Sequence, residues 1–294
     1  QASLAANTSG DNNTAVGRAA LYANTTGDDN TAVGYLALTA NTTGGNLIAV
    51  GKGALESNTT ANNGVAVGLR ALNANTTGAD NTAMGRDALY VNSTGANNVA
   101  VGAFAGDAIT TGASNVIIGA SAETAAVDST NSNTIGKAVV GQASGYTTVG
   151  HDATKSWIQH GATTWSGSSD SRLKENVTTS TVGLSFINDL RPVTYEWKTK
   201  GSIPDTFLGY VEGSTEKFND SDKVHHGFVA QEIKAVIDSH SDLGNGHGLW
   251  EANETDGLQA VAPTALVPML VKAVQELSAK NDALEARIVA LENV

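Results

Sequence analysis

The chain has no cysteine in its 294 residues. Disulfide frameworks, thiolate metal sites and cysteine nucleophiles are therefore excluded. Positive charge is scarce too: 17 Lys+Arg stand against 29 Asp+Glu, a net charge of −12. A phosphate backbone needs a basic footprint, so no nucleic-acid partner is expected. No run of 18 apolar residues occurs, and no membrane insertion is expected. Aromatic residues make up only 5% of the chain, fewer than a compact enzyme core usually draws on. The six histidines show no paired metal-ligand spacing, so neither a metal nor another cofactor is expected. The remaining shortages are uneven. All four Pro and all four Trp (Trp157, Trp165, Trp197, Trp250) lie after residue 150, whereas residues 1–150 hold 21 of the 32 Gly. Two physically different halves are joined, in a length that suits about two domains.

The first half is a repeat. Gly recurs at 17, 34, 51, 68, 85, 102, 119 and 136, a constant period of 17 residues. A short β-type tripeptide precedes each Gly, as in Thr31-Ala32-Val33 and Val65-Ala66-Val67. Ala-Leu follows it, as in Ala20-Leu21 and Ala88-Leu89, and then a polar corner such as Asn24-Thr25-Thr26-Gly27. This period is too short for helical-hairpin repeats, and it suits one coil of a β-solenoid with two short strands and two turns. Asn and Gly are expected to supply the left-handed corners. The small central Ala of each tripeptide suits a crowded face, and the flanking Val and Ile a roomier one. One coil cannot bury its apolar face alone, so stability is expected to come from stacking.

Asn7, Asn24, Asn41, Asn58, Asn75 and Asn92 each open an Asn-x-Ser/Thr pattern. Their 17-residue spacing favours corner chemistry over glycosylation. Asn30-Thr31-Ala32-Val33-Gly34 and Asn81-Thr82-Ala83-Met84-Gly85 resemble the coils of trimeric adhesin heads, which form a left-handed β-roll of three identical chains. A phage-fibre β-helix is equally compatible. The expected organisation is 1–119 β-solenoid repeats, 120–165 a capping and transition segment, 166–265 a small α+β domain and 266–294 a coiled coil. The repeat phase places Gln1 just after a missing Gly, so a longer shaft is expected upstream.

The second half carries four further motifs. They are Ser169-Asp170-Ser171-Arg172-Leu173-Lys174, Leu190-Arg191-Pro192-Val193-Thr194-Tyr195-Glu196-Trp197, Gly227-Phe228-Val229-Ala230-Gln231-Glu232 after His226, and Leu270-Val271-Lys272-Ala273-Val274-Gln275-Glu276-Leu277. In this order they closely resemble the endosialidase-type intramolecular chaperone, the self-cleaving C-terminal domain of phage tail spikes and fibres. That resemblance implies Ser169 as nucleophile, Lys174 as its base, and a scissile bond between Ser168 and Ser169.

The chemistry has its own requirements. Serine is a weak nucleophile until a base takes its proton. Lysine is such a base only when neutral, which burial favours. Five residues on a helix or a strand point the two side chains apart, so Ser169 and Lys174 can meet only through a turn or between chains. His226 is a possible auxiliary, although a structural role is the simpler reading beside His225. Asp170 is expected only to hold the local turn.

At the C-terminus, Val267, Val274, Asn281 and Ile288 fall at a positions, and Leu270, Leu277, Leu284 and Leu291 at d. Generic rules for β-branched a and Leu d favour a dimer, whereas the resemblance implies a trimer, matching a three-chain shaft. Asn281 fixes register at a cost in stability. The expected protein is a homotrimeric tail fibre or spike of the virion, made in the bacterial host cytoplasm. Its expected partners are a host cell-surface glycan or protein and other tail proteins bound through an upstream part. The alternative is a bacterial trimeric surface adhesin without proteolysis, which would call for a membrane anchor after the coil.

Overall fold

The computed structural model describes residues 2–162, 164–167, 169, 171–207, 209–219, 223–240, 243, 248–252 and 257–293. They form two compact units, Gln1–Lys174 and Glu175–Val294.

The first unit is a β-solenoid. Its strands are β1 (Thr14–Val16), β2 (Thr31–Val33), β3 (Ile48–Val50), β4 (Val65–Val67), β5 (Thr82–Met84), β6 (Val99–Val101), β7 (Val116–Ile118) and β8 (Asn133–Ile135). Each stacks parallel on the next in register, so that Ala15, Ala32, Ala49, Ala66, Ala83 and Ala100 form one column. The period seen in the sequence is thus the path of one coil. β9 (Tyr146–His151) continues the stack in parallel with a short step, Asn133 opposite Thr147. β10 (Thr154–Gln159) then turns back antiparallel on β9, and β11 (Ser166–Gly167) pairs antiparallel with β10 as the last strand of the sheet.

Two local expectations are corrected. Each coil contains one strand, not two. Opposite the strand, the Ala-Leu segment still bonds to the next coil, as in Leu38 N to Ala54 O (3.0 Å) and Ala40 N to Glu56 O (3.1 Å). Its backbone is not β, because Leu21, Leu38, Leu55, Leu72 and Leu89 all sit at φ of 49–51°. Such a conformation costs a branched residue roughly 1–2 kcal/mol; full burial of each Leu in the coil interior offsets that cost. Second, the asparagines that open the Asn-Thr-Thr-Gly corners act through their side chains, while other asparagines supply the expected left-handed backbone, Asn12, Asn46, Asn63, Asn97 and Asn131 at φ of 52–59°. Asn24, Asn41, Asn58, Asn75 and Asn92 form a buried ladder, each Nδ2 donating to the Oδ1 of the Asn one coil earlier at 2.8–3.1 Å. Each also donates to a carbonyl three residues ahead. Buried amides are closed to glycosylation. The expected alternation within the tripeptide holds, and the larger residues take the outward face. The central Ala fills the interior, while Val16, Val33, Val50, Met84, Val101, Ile118, Ile135 and Val149 stand exposed on one face of the single chain.

The repeated glycine is required by close approach. A Cβ at Gly85 (φ +143) would lie 2.3 Å from the Gly102 carbonyl oxygen, and at Gly51 (φ +138) 2.2 Å from that of Gly68. Only glycine lets the coils stack at that corner.

The second unit is α+β. Helix α1 (Leu184–Asp189), hairpin strands β12 (Val193–Tyr195) and β13 (His225–Gly227), helix α2 (Ala230–Ser239), β14 (Trp250–Ala252) with β15 (Gln259–Val261), and helix α3 (Val267–Glu292) follow in order. Val182, Phe186, Ile233, Ile237, Leu249 and Leu266 form its core. Among the described residues no helix is long and apolar enough to cross a membrane.

Candidate self-cleavage site

Ser169 and Lys174 both belong to the first unit, just beyond β11. A single 3-10 turn, Ser171–Leu173, separates them and closes with Lys174 N donating to Ser171 O (3.2 Å). With three residues per turn, it swings the lysine back over the serine, which neither an α-helix nor a strand could do at this spacing. Lys174 Nζ donates to Ser169 Oγ at 2.8 Å. Of the two routes left open by the sequence, turn or neighbouring chain, the contact uses the turn. Both side chains are exposed, so the isolated chain lacks the burial that would favour a neutral lysine. Ser168 and Asp170 lie outside the described residues.

His226 lies in the second unit, in the middle of β13 and opposite Thr194. It is exposed and borders a groove of about 800 Å³ lined by Trp197, Phe207, Phe218, Phe228 and Leu258. Its neighbour His225 points the other way and stacks on Tyr195, with ring centroids 5.5 Å apart.

The sequence motifs of this unit come together. Pairing of β12 with β13 joins the Arg-Pro-Val-Thr-Tyr segment to the His-Gly-Phe-Val segment. Arg191 grips Glu232 with both guanidinium arms, Nε donating to Oε2 at 2.9 Å and Nη2 to Oε1. That hydrogen bond holds the Glu232 carboxyl below the usual range and the arginine above its own. Glu276 of α3 accepts from Leu184 N (2.9 Å), capping the start of α1. That bond is the chief cause of a lowered Glu276 pKa.

Helix α3 divides its surface between two tasks. Leu266, Met269 and Ala273 face the unit's core. Val267, Leu270, Val274, Leu277, Leu284, Ile288 and Leu291, the expected a and d residues, are exposed on the single chain. Asn281 donates to Glu285 Oε1 (3.0 Å) along the helix.

Sequence reasoning had no access to β11. A Ser-Gly pair has no strand signature, and only its position opposite Trp157 and Ser156 reveals it.

Searches of the curated proteins and of the solved structures return no match to the chain. The family model described as chaperone of endosialidase matches residues 169–242, beginning at Ser169 and taking in Lys174, Arg191, His226 and Glu232. This match, together with the β-solenoid that precedes it, fits a phage tail-associated protein carrying an endosialidase-type intramolecular chaperone.

Proposed function

We propose that this chain is the shaft and chaperone of a homotrimeric tail fibre or spike for host attachment, and that the chaperone severs itself between Ser168 and Ser169 once three copies have assembled. The observation that carries the reading is the 2.8 Å contact between Lys174 Nζ and Ser169 Oγ at the start of the family match. In the proposed reaction, Ser169 Oγ attacks the Ser168 carbonyl carbon. Its proton passes to a neutral Lys174 and on to the Ser169 amide nitrogen as the C–N bond breaks. An ester joins Ser168 to the Ser169 oxygen, and water hydrolyses it to a Ser168 carboxylate and a restored serine hydroxyl. Lys174 is exposed in one chain, and burial by neighbouring chains would favour the neutral form that a base needs. Assembly then acts as the timer.

Two exposed apolar seams support three-chain assembly, which the family implies. One is the a/d face of α3; the other is the outward column of Val, Met and Ile along the solenoid. Each such side chain contributes roughly 1.5–3 kcal/mol when buried. A coil that gathers three chains makes slow solenoid pairing intramolecular. Cleavage afterwards removes the refolding route and leaves a kinetically locked shaft. The shaft surface would then be free for a host glycan or surface protein.

Sedimentation and denaturing gels of the parent chain and of Ser169→Ala test this reading. The parent should be trimeric and cut in two, and the variant trimeric and whole. A monomeric parent, or a Ser169→Ala chain that is cut like the parent, would refute it.

A further inference from the structure

We infer that the shaft itself presents the scissile segment: the backbone pairing of β11 with β10 is a positioning element for self-cleavage. The inference rests on the self-cleavage reading above. β11 is only Ser166–Gly167, and it ends one residue before Ser168. Its two rungs, Ser156 opposite Gly167 and Trp157 opposite Ser166, hold the backbone immediately upstream of the bond in extended form. Downstream, the 3-10 turn holds Lys174 against Ser169. Described elements therefore flank the bond in sequence, β11 before it and the turn after it, both within the unit that ends at Lys174. A hydroxyl attacking the peptide bond before its own residue gains most when the carbonyl carbon cannot drift, because reacting groups held in geometry need no further ordering.

β10 is a template only when the end of the shaft has formed. Asp152 N donates to Lys137 O (2.9 Å), Gly145 N to Thr130 O (3.1 Å) and Lys155 Nζ to Val140 O (2.7 Å). These bonds pin the β9–β10 hairpin to the last coil, and β9 in turn lies on β8. A two-residue strand, Ser-Gly, with both residues exposed cannot stand by itself. Its docking thus reports that coil, hairpin and edge are complete. Cleavage would be gated by the finished shaft as well as by the gathering of chains.

Two variants test the inference, with cleavage rate as the readout and sedimentation confirming the oligomeric state. Ser166→Pro removes a backbone N–H from β11 and leaves Ser169 and Lys174 intact. Cleavage should slow on the order of 100-fold, the cost of an ångström-scale misplacement. The double variant Trp157→Cys/Ser166→Cys puts a cross-strand pair into a chain with no other cysteine. Once oxidised, this staple locks β11 onto β10, and cleavage should proceed at the parental rate or faster. Parental cleavage by Ser166→Pro, or arrest by the staple and release on reduction, overturns the inference while leaving the self-cleavage reading intact. A parent chain that never cleaves removes that reading, and the inference with it.

Discussion

The buried asparagine ladder makes one substitution severe and its near twin harmless within a single coil. Asn58 Nδ2 donates to Asn41 Oδ1 (2.9 Å) and to the Ala61 carbonyl (3.2 Å), while its Oδ1 accepts from Asn75 Nδ2 (3.1 Å). Asn58→Asp keeps the acceptor and deletes both donors. Two buried acceptors then face a carboxyl oxygen, and each unsatisfied one costs about 1–3 kcal/mol. An ionised carboxylate there would also be desolvated, so the acid is expected to take up a proton and recover one of the two bonds. The net loss at neutral pH should be about 3–6 kcal/mol. Because the folded-state pKa of the introduced acid is raised, the loss should shrink as pH falls toward its unfolded value. Asn62→Asp, at an exposed position in the same polar segment, should change stability by less than about 0.5 kcal/mol. There the amide oxygen only accepts from Gly45 N (2.7 Å), and Asp28 already performs the same task for Asp11 N (2.7 Å). Urea unfolding followed by circular dichroism, at fixed protomer concentration and in the Ser169→Ala background to keep the chain whole, compares the two. Equal midpoints for Asn58→Asp and Asn62→Asp would refute the claim that the ladder is a stabilising network.

Four further outcomes are expected. Gly85→Ala should destabilise the shaft by several kcal/mol, at least about 1–2 from backbone strain, with the clash against Gly102 added; a thermal midpoint unchanged from the parent would contradict it. Burial, together with the hydrogen bond and charge of Asp107, pushes the Glu123 carboxyl up to about 8. A raised folded pKa means stability that is complete below about 4.5 and lost as pH rises toward about 8. Glu123→Gln should flatten that window by on the order of 1–2 kcal/mol once partial exposure is discounted, and a pH profile of melting identical to the parent's would exclude the effect. Glu276 has its pKa lowered chiefly by the Leu184 N–H, so its stabilisation is present above the ordinary glutamate pKa and fades as pH falls through the folded value. Glu276→Gln should therefore lower the melting temperature of the second unit at pH 7 more than at pH 3. Leu277→Asp/Leu284→Asp places like charges in the α3 seam, and that chain should be monomeric and remain full length; efficient cleavage by a demonstrated monomer would discard the assembly timer.

Much of the shaft was legible because its physics repeats. A fixed Gly marks the corner where coils nearly touch, and a central Ala marks the interior. Leu38 at φ 51 was not legible, since nothing in a leucine announces a left-handed backbone that burial and inter-coil bonds enforce from outside. The alternation that sets Val33 and Val50 apart from the central Ala was legible in the tripeptide, but their exposure on the single chain was not, since it depends on how the coils stack. Ser169 and Lys174 were identified from their motif, but the 3-10 turn joining them depends on local backbone choice. The bond from Leu184 N to Glu276 spans 92 residues, and β11 spans two, so neither leaves a periodic trace in the sequence.

The central claim is that the chain cuts itself before Ser169. Intact-mass spectrometry of the purified parent tests it most directly. The account predicts two species, residues 1–168 and 169–294, whose masses sum to the full chain plus one water, with Ser169→Ala and Lys174→Ala each giving one species at 29.9 kDa. A parent that remains a single 29.9 kDa species after trimer formation, or fragments that meet at another bond, would contradict it.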